Sequence, residues 1–282
     1  MLKKMVLAAV LATTAAAGAH AATVYGVDEN NNLVTFNSAN PGTFLTSVKL
    51  TGLGQTGSLQ GIDFRSANSV LYGLTADRTL VFINLATGVA TQVGGPLALT
   101  GTTFGFDFNP VADRIRIVSN DNSNYVVNPD TGALTVATPV FYAAGDPNAG
   151  REPDVVANAY ETGTANQFAI DVANDVLVRQ ANSAGTLTTV GPVTTPPSDL
   201  LGNRTSFDIA GSDAFVQNGR NFYSANLATG QLSLIGRTDE SLFGIAIAPV
   251  PEPATWGLMI AGFGAVGGTL RRRRATVRFA NA

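Results

Sequence analysis

From Val24 to Pro249 the chain alternates short runs of apolar and polar residues, each bounded by Gly, Asn, Asp or Pro, with no amphipathic helix of useful length. A two-residue period predicts strands, and the turn residues between them predict hairpins. The strands come in groups of four. Across residues 61–94 they fall at 61–64 (strand A), 70–74 (B), 79–84 (C) and 89–93 (D), all rich in β-branched or aromatic side chains. The group returns without a gap 44 residues later: Asp63 falls on Asp107, Leu71 on Ile115, Val81 on Tyr125, Asn84 on Asn128 and Gly88 on Gly132. Fainter copies follow, with strands B to D at 167–171, 176–180 and 186–190, and again at 214–217, 221–226 and 231–235.

An Asn followed closely by a Gly marks the C–D hairpin of every group: Asn37 and Gly42, Asn84 and Gly88, Asn128 and Gly132, Asn182 and Gly185, Asn226 and Gly230. Asn side chains initiate turns and Gly accepts positive φ, so the spacing has a mechanism. Self-similarity at this period marks a solenoid, propeller or array. The first group enters directly at its B strand, Val24-Tyr25-Gly26-Val27, and the A strand it lacks stands at the far end, where residues 243–249 match 104–110. A strand supplied from the C-terminus would close a ring and leave no long sheet edge exposed. The expected fold is therefore an all-β, five-bladed β-propeller over residues 22–249, with the C-terminal strand closing the first blade. Six blades or a β-sandwich are the alternatives.

The two ends change the picture from a plain domain to an exported one. Lys3 and Lys4 precede an apolar run over 5–17 and then Ala19-His20-Ala21, the order of a secretory signal peptide over residues 1–21. Its removal takes away His20, the only histidine, and there is no cysteine. The mature chain thus has no disulfide, no histidine-based triad and none of the usual zinc, copper or haem ligands; neither a catalytic residue nor a metal site is assigned. Over 22–250, Lys49 and nine arginines stand against nineteen Asp and Glu. An acidic surface of this kind argues against nucleic acid as a partner.

Residues 250–282 form a second signal: Pro251-Glu252-Pro253, a Gly-rich apolar run over 254–270, short for a transmembrane helix, and Arg271, Arg272, Arg273 and Arg274. The arginines would hold the far side of the run in the cytoplasm. This tripartite tail resembles the PEP-CTERM sorting signal recognised by exosortase-type membrane enzymes of Gram-negative bacteria. The resemblance implies such an enzyme as partner, attachment to the inner membrane through the tail before processing, and a final place at the cell surface or outside the cell. The body resembles a family of exported bacterial domains of unknown function, through Gly105-Phe106-Asp107-Phe108-Asn109-Pro110, residues 113–119 and Asn128-Pro129-Asp130-Thr131-Gly132. That likeness implies a propeller-like fold and no activity.

Candidate chemistry lies in two places. Aligned A-strand positions carry Asp63, Asp107, Asn158, Asp208 and Ala246. Carboxylates converging on a ring axis suit a hard cation such as calcium, but the repeat of the position around the ring favours capping of backbone N–H groups in the next blade. No cofactor is clearly indicated, and calcium is the one candidate. Elsewhere the 53-residue interval between the third and fourth hairpin glycines betrays an insertion at 138–154 that breaks the symmetry. A long loop on a rigid scaffold is where binding is expected. With the amide-rich B–C turns it gives the candidate ligand residues Asn120, Asp121, Asn122, Tyr142, Asp146 and Arg151, suited to an extracellular polysaccharide or a cation. The expected role is a non-catalytic binding or structural propeller of the cell surface or extracellular matrix. The alternative is a glycan-active hydrolase that draws a carboxylate pair from Asp146, Glu152 and Asp154.

Overall fold

The computed structural model describes residues 21–55, 57–193, 201–249 and 262–263. All of the expected signal peptide but Ala21, and all of the sorting tail but Gly262 and Phe263, lie outside them. No helix among the described residues is long and apolar enough to cross a membrane.

The chain opens with β1 (Thr23–Asp28), β2 (Asn32–Asn37) and β3 (Asn40–Lys49). Blade 2 is β4 (Leu59–Arg65), β5 (Val70–Thr75), β6 (Leu80–Ile83) and β7 (Ala90–Val93). Blade 3 is β8 (Phe104–Asn109), β9 (Arg114–Ser119), β10 (Asn124–Val127) and β11 (Leu134–Val136). The short β12 (Phe141–Tyr142) precedes blade 4, which is β13 (Val155–Tyr160), β14 (Gln167–Asp171), β15 (Val176–Gln180) and β16 (Thr186–Pro192). Blade 5 is β17 (Thr205–Ala210), β18 (Asp213–Asn218), β19 (Asn221–Ala225) and β20 (Leu232–Arg237), and the chain returns through β21 (Leu242–Ile247). Each blade is an antiparallel meander. β21 pairs with β1 to complete blade 1 in the order β21-β1-β2-β3. Five blades result, and β4, β8, β13, β17 and β21 pack in succession around one axis.

Antiparallel register fixes which loops share a face. Leu59 at the start of β4 lies opposite Thr75 at the end of β5, so the B–C turns and the connections between blades lie on one face. The A–B and C–D turns lie on the other. Both ends of the body leave from this second face, where Val24 pairs with Ile247 and Ala248 N donates to Thr23 O at 2.9 Å.

Alternation in the strands puts apolar side chains between neighbouring blades, and a separate cluster fills each gap. Tyr72, Phe106 and Phe108 lie between blades 2 and 3, Phe168, Phe207 and Tyr223 between 4 and 5, Leu33 and Leu71 between 1 and 2, and Phe36, Phe222 and Leu242 between 5 and 1. The gap between blades 3 and 4 is partly polar and takes Val140 and Tyr142 from the insertion. There the Arg116 guanidinium bonds the Tyr160 hydroxyl, Asn124 Oδ1 and Ser183 Oγ at 2.8–3.3 Å. Blades 2 and 3 are also tied by Arg65, which forks onto Asp113 and reaches Asp130 at 2.5 Å.

The turn reading holds in blades 2 and 3. Asn84 Oδ1 accepts from Ala86 N and Thr87 N, and Gly88 closes the turn at φ +69° with its Cα against Lys49 O, where no side chain would fit. In blade 1 the turn is tighter than the Asn37–Gly42 spacing suggests: Asn37 pairs directly with Asn40, and Gly42 lies inside β3.

Candidate functional site

On the face of the B–C turns, the insertion is bound closely to blades 3 and 4. β12 runs parallel to β16 as a fifth outer strand, with Phe141 beside Thr186 and Tyr142 beside Leu187. Tyr142 is buried and its hydroxyl donates to Asp171 Oδ2; burial and that carboxylate push its pKa up. Asp146 accepts from Thr189 N and Thr189 Oγ1, both at 2.7 Å, and from Asn148 N. Asn120 Oδ1 accepts from Thr102 N and Thr103 N, and Asp121 caps its own turn through Ser119 Oγ and Ser123 N. Asn122 touches the insertion twice, its carbonyl accepting from Val140 N and its amide donating to Glu152 Oε2 at 2.9 Å. Arg151 is exposed and donates to Asn174 Oδ1 at 3.1 Å. The structure therefore brings Asn122 against the insertion, while Asn120 and Asp121 brace their own turn and the loop before β8, and Arg151 and Phe141 face solvent. Tyr142 and Asp146 fasten the loop from within.

The three carboxylates on the axis do cap the next blade. Asp63 Oδ2 accepts from Phe108 N at 2.7 Å, Asp107 Oδ1 from Tyr160 N at 3.1 Å and Asp208 Oδ2 from Ile247 N at 2.5 Å. Asp63 and Asp208 also accept from the N–H of the following residue, both at 2.6 Å. In each bond between blades the donor follows the residue that holds the layer position. By that count blade 4 contributes Ala159, not the Asn158 of the sequence alignment. A β-bulge between Val155 and Ala157 advances β13 by one residue, so Asn158 turns toward blade 3 instead. Its Oδ1 occupies the place where a Cβ on Gly105 would fall, so only a glycine fits there.

One carboxylate oxygen from each of Asp63, Asp107 and Asp208 lies within 4.8 Å of the others, and all three residues are buried. Burial raises the pKa of all three; for Asp63 the charge of Asp208 adds to the effect, for Asp107 the charges of Asp63 and Asp208, and Asp208 itself is pushed up to about 6. Below this layer, toward the face of the B–C turns, the inner strands line a small, partly open cavity of about 20 Å³. Its wall includes Gln60, Gly61, Gly105, Asn158, Ser206 and Gly244. Four buried polar atoms in that wall have no partner: Gln60 Oε1, Ser206 Oγ and both Oδ1 and Nδ2 of Asn158. Sequence alone missed this cavity, because Ser206 reads there as an ordinary strand residue and Gln60 falls just outside strand A.

A closed ring of five blades, four of them four-stranded and one with β12 as a fifth outer strand, with the innermost strand of the first supplied by the end of the chain, defines a five-bladed β-propeller. The chain belongs to the family described as domain of unknown function DUF4394, whose profile matches residues 32–246, and a PEP-CTERM protein-sorting motif matches residues 249–274. The motif marks an exported, cell-surface-associated protein of Gram-negative bacteria that is processed by an exosortase-type enzyme. No curated protein matches the chain. Among solved structures it is similar to a chain of the nidogen/laminin complex, with a TM-score of 0.51 at 11% identity, covering 80% of this chain and 98% of that one. It is also similar to a structural genomics protein of unknown function from Bacteroides thetaiotaomicron, with a TM-score of 0.52 at 12% identity, covering 82% and 67%. At such identities the likeness is one of fold.

Proposed function

We propose that this protein is a non-catalytic propeller of the cell surface or extracellular matrix, which presents the face of its B–C turns outward and binds extracellular polysaccharide there. The observation that carries the reading is the polarity of the ring. Both chain ends leave from the opposite face, so a body held by its tail turns residues 138–154 and the B–C turns away from the point of attachment. That face offers the exposed ring of Phe141 as a flat apolar surface and Arg151, Asn120 and Asn122 as polar groups, the mixture that ligand sites use for orientation. Hydrolysis would ask for two free carboxylates facing one glycan. Asp146 has both oxygens accepting bonds from the fold, and Glu152 holds Asn122. This leaves Asp154, whose pKa burial and the charge of Asp171 push up, without a free partner from the insertion.

The test is a polysaccharide and glycan-array screen on the purified protein with turnover followed in parallel. Binding without turnover, weakened by Arg151→Ala and by Asp121→Ala, is the expected result. Sugar release, or a ligand located by crystal soaking at the A–B turns near Ser66, would overturn the reading.

A further inference from the structure

We propose that Asp63, Asp107 and Asp208 hold a single hard divalent cation of the calcium class on the propeller axis, with the amide oxygen of Asn158 as a fourth protein donor, directly or through water in the axial cavity. Three observations converge on this. First, carboxylate oxygens that lie within 4.8 Å of one another can all reach one ion, because calcium–oxygen bonds run about 2.3–2.6 Å. Second, the cluster has no cationic partner among the described residues. Arg116, across the strand pair from Asp107, spends its guanidinium on Tyr160, Asn124 and Ser183, and Arg65, two residues from Asp63, spends its own on Asp113 and Asp130. Three carboxylates buried without a counter-charge are costly unless they are protonated or ligate a cation. At Asp63 and Asp208 both oxygens accept backbone N–H bonds, which favour the ionised form, while burial favours protonation; a bound cation would tip that balance toward the ionised form.

The third observation is independent of the acids. Asn158 is 1% exposed, yet neither atom of its amide has a partner, and it stands in the wall of the axial cavity, one residue before the layer position of its strand. Buried amides are rarely left unbonded, and an orphan of this kind points to a group that the protein atoms do not supply. Ser206 Oγ and Gln60 Oε1 face the same cavity unpaired, and its roughly 20 Å³ of room suits the one or two waters that would add to the oxygen shell of the ion. Capping and ligation are compatible, since an ionised carboxylate oxygen has more than one lone pair to share. The layer that joins each blade to the next would thus also take an ion, a use that repeat symmetry alone does not suggest.

The experiment uses the full chain purified in mild detergent without chelator. Elemental analysis should find about one divalent ion per chain. Stripping with a chelator should lower Tm by several degrees, and calcium should restore it. Asp208→Asn should abolish the calcium response. Asn158→Leu removes the unpaired amide from the cavity wall, so a purely structural Asn158 predicts that the calcium response stays intact, whatever the change of Tm in chelator. A cation ligand predicts loss of the response or of ion occupancy instead. Should Asp208→Asn fail to fold, Asn158→Leu decides alone. Absence of bound ion together with a Tm indifferent to millimolar calcium would overturn the proposal, as would a response undiminished in Asn158→Leu, which would place the ion elsewhere.

Discussion

Removal of β21 should unfold the whole ring, not merely fray one end. The strand supplies Leu242, Ile245 and Ile247, exposed 0%, 2% and 4%, to the gap between blades 5 and 1. At about 1.5–3 kcal/mol for each large apolar side chain removed from water, these three contribute roughly 5–9 kcal/mol. Typical domains have only about 5–15 kcal/mol in total. Loss of β21 also leaves the inner edge of β1 unpaired along the register from Val24 to Asp28, and Asp208 without the Ile247 N–H it accepts. A body ending at Glu240 should therefore aggregate or lack a cooperative transition by circular dichroism, whereas one ending at Pro249 should melt sharply. A graded version is Leu242→Ala in the longer body. Emptying a fully buried leucine site costs about 2–5 kcal/mol, or a fall in Tm of roughly 4–20 °C for a domain of this size. Equal thermal stability of the two truncations would refute the idea that this strand closes the ring.

Arg65→Met should lower Tm at neutral pH. The sign with acid follows from Asp113, whose carboxyl the Arg65 hydrogen bonds hold below its ordinary 3.8. A depressed folded pKa contributes stability that is present above the unfolded value and lost as pH falls through the folded one, so the gap between wild type and variant should close on acidification. A gap unchanged down to about pH 2 would exclude the ion pair as its cause. Gly88→Ala should cost about 1 kcal/mol or more, read by denaturant titration, since the residue combines φ +69° with a backbone oxygen at the Cβ position; no loss would mean that the turn rebuilds freely. Replacing Pro251, Glu252 and Pro253 by Ala should leave the protein uncut in the inner membrane. Mass spectrometry that finds Arg271–Arg274 on mature wild-type protein would show that processing does not remove the tail.

The repeat made the ring legible in the sequence because each blade must solve the same packing problem with the same pattern. The closing strand was readable as Phe243-Gly244-Ile245, a strand A without its group, and the capping role of Asp63, Asp107 and Asp208 was readable from their recurrence. Asn158 was not, because a bulge in β13 shifts register by one residue and leaves no mark in an ungapped alignment. Tyr142 read as a binding residue because an aromatic in an insertion has no repeat partner to reveal its burial. The gap between blades 3 and 4, lined by Arg116, Asn124 and Gln180, has room for it only in three dimensions. The axial cavity was hidden for a similar reason, since its wall takes residues from five strands far apart in sequence.

The pairing of Val24 with Ile247 carries a mechanical consequence. A tether at Pro249 pulls on β21 along its own length, so the bonds to β1 bear the load together in shear instead of opening one after another. Residues on either side of β21, in β4 and β17, share that load through side-chain packing. A surface protein exposed to flow would thus be held by one of the inner strands of its fold, and pulling that strand out would open the ring.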